Sequence, residues 1–287
     1  MRILDLYTEK SPVISMEFFP YRDEKTETSF NKVADDLLNV NPDYLTVTFG
    51  AGGSTRDGSY QTVKTILEKK NKPCVAYIAG YGLGPDEITE VLDRFKSLGV
   101  QTVFVIRGDK PRQDDFTPHP DSFSYASELI RFIKERYDFT LGCAGYPEGH
   151  VDAPDFKTDL GHTRTKVENG ADYIVAQYFY DNDYFFNYVS ACRDAGIDVP
   201  IIPGIMPVYT VKMTHALARI CGATLTPALV QKLDAVDPED KEAVLNLGID
   251  FAVEQCKDLL SRGVPGLHFY TMNRSRSIKE IISRLEW

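Results

Sequence analysis

The sequence predicts an α/β protein built as a closed (β/α)8 TIM barrel, and three observations predict it. Short apolar runs rich in β-branched residues alternate with stretches of helical spacing along the whole chain. Such alternation implies crossover connections and a parallel sheet. Eight strand-helix units fit within 287 residues, a length suited to that barrel. An open doubly wound sheet is the alternative, and it usually carries G-x-G-x-x-G at its first strand-helix turn. Here Gly50-Ala51-Gly52-Gly53-Ser54-Thr55 follows the second strand and has Thr55 where the third glycine should be. No linker, repeat or low-complexity segment is visible, so residues 1–287 read as a single barrel domain.

The elements follow in order. Val13 to Phe19 is a strand ended by Pro20, and Thr28 to Leu38 has Phe30, Val33, Leu37 and Leu38 on one helical side. Tyr44 to Phe49 is the second strand and Tyr60 to Leu67 the second helix. Cys74 to Ala79 is the third strand, and Pro85 to Leu98 a helix with an acidic first turn. Val103 to Ile106 is a short, wholly apolar fourth strand running into Arg107-Gly108-Asp109, with Lys110-Pro111 as its stop. Ser122 to Tyr137 is the fourth helix, Phe139 to Ala144 the fifth strand, and Asp159 to Asn169 part of a helix ended by Gly170. Tyr173 to Gln177 is the sixth strand, followed by a helix from Asp183 to Asp194. Val199 to Ile205 is the seventh, bent at Pro203-Gly204. Further helices follow, including one from about Asp240 to Ser261. Gly266 to Tyr270 is the eighth strand, and Arg274 to Leu285 the last helix.

Composition bounds the function. The chain is 43% hydrophobic and 26% charged, with a net charge of -10, a balance that argues against general nucleic-acid or anionic-membrane binding. No stretch approaches the roughly 20 apolar residues that span a bilayer, and the N-terminus does not read as a signal peptide. The five cysteines are widely spaced without Cys-x-x-Cys, which reads as reduced thiols in a cytoplasmic protein. The histidines show no zinc-ligand spacing, so no metal is expected.

In a barrel of this kind, function lies at the C-terminal ends of the strands. There the sequence gathers Glu17, Thr48-Phe49, Arg107-Gly108-Asp109, Tyr146 with His150, Gln177, and Tyr270 with Arg274. Aromatics, an amide and charges in one rim suit a flat, polar heterocycle. Glu17 interrupts an otherwise apolar strand, where a charge is costly unless paired or neutralised. Desolvation raises a carboxyl pKa, which suits a general acid near neutral pH. The alternatives are Glu17 paired with a barrel lysine, Asp109 as a helix cap or ion-pair partner, and Gln177 as a satisfied barrel residue.

Taken together, these segments resemble the methylenetetrahydrofolate reductase family. The likeness is carried in order by Met16-Glu17-Phe18-Phe19-Pro20, Thr46-Val47-Thr48-Phe49-Gly50-Ala51, Arg107-Gly108-Asp109, Ala144-Gly145-Tyr146-Pro147-Glu148-Gly149-His150, Ile202-Pro203-Gly204-Ile205-Met206-Pro207, and Pro265-Gly266-Leu267-His268-Phe269-Tyr270-Thr271-Met272-Asn273-Arg274. The resemblance implies an FAD-dependent enzyme of one-carbon metabolism and methionine synthesis. Such an enzyme reduces 5,10-methylenetetrahydrofolate to 5-methyltetrahydrofolate with NADH or NADPH. It also implies small-molecule partners, a homo-oligomer, and no C-terminal regulatory domain after Trp287.

By the same resemblance, Glu17 is the general acid that opens the methylene bridge, and Asp109 stabilises the resulting iminium and tunes the flavin. Thr48, Phe49, Ala51, Arg107, Gly108, Asp109, Ala126, Tyr146, His150, Asp159 and Lys166 fall at cofactor positions. Asp109, Gln177, Tyr270 and Arg274 fall at substrate positions. The sequence departs from the pattern in three places. Strand three reads Tyr77-Ile78-Ala79-Gly80 where the family has His-Leu-Thr-Cys, and that histidine contacts flavin. His162 replaces an asparagine of some members, and Thr165 a basic residue. Tyr77 motivates the alternative of a flavin-free folate- or pterin-binding barrel, either a direct hydride-transfer enzyme or a non-redox binder. An interaction-only barrel is the third reading, and retention of both Glu17 and Asp109 weighs against it.

Overall fold

The computed structural model describes residues 2–49, 53–109 and 116–285. Ala51, most of the glycine-rich turn around it, and Lys110-Pro111 lie outside the described residues. The strands are β1 (Val13–Phe18), β2 (Tyr44–Val47), β3 (Cys74–Ala79), β4 (Thr102–Ile106), β5 (Thr140–Gly145), β6 (Tyr173–Ala176), β7 (Ile201–Ile202), β8 (Gly204–Ile205) and β9 (Gly266–Tyr270). They form one sheet in the order β7-β6-β5-β4-β3-β2-β1-β9-β8, and every pairing is parallel. β7 and β8 are two pieces of the expected seventh strand, so the sheet closes on itself as a barrel. The break falls at Pro203, which has no N–H to give the ladder. Its carbonyl still accepts from the His268 N–H at 3.0 Å. β7 therefore pairs with β6, and β8 with β9.

Strand alternation divides the core in two. Ile14, Met16 and Phe18 of β1 point outward with Leu45, Val47, Ala76 and Ile78, and join the large cluster beneath the helices. Phe18 meets Phe30 of α2 (Glu24–Leu38) edge to face at 5.4 Å. Val13, Tyr44, Val75, Tyr77, Phe104, Tyr173, Val175 and Ile202 point inward and fill the barrel. Gly142 of β5 makes room for them, because a Cβ there would lie 2.4 Å from the Tyr173 ring and 2.5 Å from Phe104.

The helices include α1 (Ile3–Glu9), α3 (Gly53–Lys69), α4 (Pro85–Ser97), α5 (Ala126–Lys134), α6 (Phe156–Glu168), α7 (Asn182–Asp194), α8 (Val211–Cys221), α9 (Pro227–Ala235), α10 (Lys241–Ser261) and α11 (Arg276–Ser283). α1 was not expected from the sequence. It closes the N-terminal end of the barrel, with Ile3 buried in the inner cluster and the Tyr7 hydroxyl 2.9 Å from that of Tyr44. α2 starts earlier than its apolar spacing indicates, because its first turn is polar and held by a cap. There Asp23 accepts from the Thr26 N–H at 2.8 Å. α5 is shorter than expected at both ends, since Glu128 accepts from the N–H groups of Ser124 and Tyr125 and fixes its start. Among the described residues no helix is long and apolar enough to cross a membrane.

Candidate active site

Glu17 occupies an inward position near the C-terminal end of β1, with its side chain 12% exposed. The Tyr77 hydroxyl donates to Glu17 Oε2 at 2.6 Å. His268 Nε2 lies 3.6 Å from the same oxygen, and His268 Nδ1 is 2.8 Å from Ser15 Oγ. Among the described residues the partners of the Glu17 carboxyl are thus a phenol and an imidazole, not the lysine that the sequence left open. Burial, then the Glu17 charge, pushes the Tyr77 phenol well above its ordinary value, so it remains a donor. Tyr270 is pushed up in the same way by burial and by Glu17.

The backbone around Glu17 is fixed by the turn after β9. Thr271 donates to the Glu17 carbonyl from its hydroxyl at 2.6 Å and from its N–H at 3.3 Å. The Asn273 side chain accepts from the Phe19 N–H at 2.9 Å and donates to the Phe19 carbonyl at 3.1 Å. Phe19 itself is 44% exposed at the mouth. Met272 and Asn273 adopt φ of 50° and 52°, a left-handed pair that turns the chain back over the rim.

A cavity of about 430 Å³ opens between β4, β5, α5 and α6, lined by Arg107, Ala126, Tyr146, His150, His162 and Lys166 among others. Five of the expected cofactor residues therefore share one space. Arg107 pairs with Asp152 at 3.1 Å, and Tyr146 meets His150 edge to face at 4.6 Å. Lys166 is 8% exposed; its Nζ donates to the Ala144 carbonyl at 2.5 Å. Asp159 is buried beside them, and its Oδ2 has no hydrogen-bond partner among the described residues. Burial raises its pKa, opposed by Lys166 and His150. Gly108 has φ +87°, and a Cβ would lie 2.9 Å from that of Ala79, so only glycine fits. Thr48 is held by its backbone, donating to Phe18 and accepting from Ser59, each at 3.0 Å. Phe49 packs on the inner cluster.

The remaining expected residues are distributed around the mouth. Asp109 stands exposed just beyond β4. It is near enough to Cys221 of α8 to add to the burial that pushes that thiol up. Gln177 Oε1 accepts from the Tyr178 N–H at 3.1 Å. The Tyr270 hydroxyl donates to the Ala176 carbonyl at 3.3 Å. Arg274 is exposed, with its guanidinium 5.1 Å from the Tyr209 ring centre. Glu17 and Asp109 thus emerge from the same end of the barrel without touching. Sequence reasoning did not foresee that His268 and Tyr77 would face the Glu17 carboxyl, or that Asn273 would hold the main chain of Phe19. The period-2 spacing of His268 with Tyr270 was the available signal for the first. Among the described residues no group of three or more His, Cys, Asp or Glu is arranged to hold a metal ion.

Comparison with known proteins adds the following. The family described as methylenetetrahydrofolate reductase matches residues 2–286. The chain is 34% identical over 99% of its length to methylenetetrahydrofolate reductase (NADH) 1 of Arabidopsis thaliana, and covers 50% of that protein. It thus spans about half the length of the plant relatives it matches. It is 31% identical to the 5,10-methylenetetrahydrofolate reductase of Escherichia coli, over 91% of this chain and 86% of that one. Among solved structures, an uncharacterized protein from Clostridium thermocellum that binds two copies of 5-methyl-5,6,7,8-tetrahydrofolic acid has the same fold. It has a TM-score of 0.64 at 15% identity, over 98% of this chain and 96% of that one. With a family match along almost its entire length, this chain belongs to the methylenetetrahydrofolate reductase family.

Proposed function

We propose that this chain reduces 5,10-methylenetetrahydrofolate to 5-methyltetrahydrofolate, with FAD bound at the barrel mouth and NADH or NADPH as the reductant. Family membership and the names of its relatives support the reaction. The observation that carries it is Glu17, a carboxyl at the mouth whose Oε2 is hydrogen-bonded to Tyr77. Among the described residues its Oε1 has no hydrogen-bond partner. The cavity between β4, β5, α5 and α6 suits the cofactor. Arg107, Lys166 and His150 offer positive or protonatable groups for a diphosphate and Tyr146 a ring face; next to Lys166 and His150, Asp159 Oδ2, without a partner among the described residues, offers an acceptor for a sugar-type hydroxyl. When bound, the flavin supplies reversible two-electron storage between the two substrates.

The chain's own residues supply the rest. Glu17 gives a proton to the departing bridge nitrogen and so opens the methylene bridge to the 5-iminium cation. Asp109 contributes negative charge beside that cation. Gln177 hydrogen-bonds the edge of the heterocycle, Tyr270 packs beneath it, and Arg274 pairs with the carboxylates of the folate tail. The NADH in the name of the Arabidopsis relative favours NADH.

The purified protein should be yellow, or become so with added FAD, and Glu17→Gln should abolish folate reduction while leaving flavin reduction by NAD(P)H largely intact. Equal loss of both half-reactions contradicts the acid role. One observation favours a second reading. Tyr77 is turned toward Glu17 at the position where the resemblance puts a flavin-contacting histidine. Tight folate binding by a protein that no FAD colours would favour a barrel that transfers hydride directly or only binds.

A further inference from the structure

We propose that Tyr77 is the positioning residue of Glu17, and that by holding Oε2 it assigns the transferable proton to Oε1. The inference rests on the reading above only in taking Glu17 as the proton donor. Among the described residues, the titratable groups that face the carboxyl come from two strands: Tyr77 from β3, which lies beyond β2, and His268 and Tyr270 from the adjacent β9. Of these, only Tyr77 hydrogen-bonds it, at 2.6 Å. His268 Nε2, at 3.6 Å, is beyond hydrogen-bond range and has no hydrogen-bond partner among the described residues. Tyr270 spends its hydroxyl on the Ala176 carbonyl.

The phenol cannot swing away. Tyr77 is 7% exposed on a central strand, and its ring stacks on Phe104 at 4.4 Å and 23°. A phenol whose hydrogen already points at Oε2 blocks that oxygen from carrying the acid proton. A protonated Glu17 therefore has Oε2 as its carbonyl oxygen and Oε1 as its hydroxyl. The oxygen without a partner among the described residues is thus the one that offers the proton. A histidine at this position could itself gain or lose a proton near neutrality. The buried phenol stays neutral and donates unchanged through that range.

The test is infrared titration of the full chain, with Glu17 assigned by subtraction of Glu17→Gln. In Tyr77→Phe, which keeps the stacking ring, the protonated Glu17 band should move to higher frequency as its carbonyl oxygen loses a donor. A loss of folate reduction with the band unmoved, or a movement to lower frequency, overturns the proposal. Should Tyr77→Phe not fold, the contact is read from the other side: Glu17→Gln must shift a tyrosine C–O band, and an unchanged tyrosine spectrum overturns it. A shifted Glu17 band in a protein that reduces no folate would uphold the contact and remove only the reaction.

Discussion

Asp159 shows how single residues divide between stability and function. Its carboxyl is buried, one oxygen has no partner among the described residues, and burial outweighs Lys166 and His150 in raising its pKa. A carboxyl raised above its unfolded value of about 3.9 binds more protons in the folded chain than in the unfolded one. Its contribution to stability therefore falls as pH rises through that value toward the folded one. Asp159→Asn should remove the loss: the ligand-free chain should gain about 1 kcal/mol at pH 7, with a flatter pH dependence above about pH 4. Thermal melts across that range check it. The same substitution should weaken FAD binding if the free oxygen accepts a cofactor hydroxyl. Residues such as Glu17 and Asp109 stood out in the sequence as candidates because a charge at the end of an apolar strand needs explaining. Tyr77 and His268 were not, because an aromatic or imidazole in a strand reads equally well as packing, and only register across β3, β1 and β9 brings them to Glu17.

The strands were more legible than the helices. Their cores are apolar on both faces, as burial between helices and a filled barrel demands. Helix limits depend on caps such as Asp23 and Glu128 and on polar first turns that apolar spacing cannot see. α1 was missed because its seven residues are too few to show a period. Gly142 shows what the packing inside demands. Its added methyl would meet Tyr173 and Phe104, both anchored on strands, so Gly142→Ala should cost about 1–3 kcal/mol. A denaturant midpoint shift with an unchanged slope would record this.

Across the whole molecule, closure is uneven. β3 and β4 pair over five residues, whereas β7 and β8 each pair over two on either side of Pro203. Hydrogen exchange should therefore be slowest in β3 and β4, and faster in residues 201–205. Uniform protection around the sheet would contradict this. The seven-stranded arc from β6 through β1 to β9 and the closing strand were both foreseeable. The handover between partners at Pro203 was foreseeable only as a bend, since hydrogen-bond partners across a barrel are not written in a local run of residues.

The grip of Asn273 on both main-chain groups of Phe19 bears on how a guest is received. A side-chain amide there imitates one more rung of the ladder, beyond the last true strand pair. The main chain that carries the exposed ring beside the acid is thus already fixed by the fold, and an arriving flat molecule of the proposed kind need not freeze it. Recognition at this end of the barrel begins on a prepared surface, with less disorder to surrender at the moment of contact.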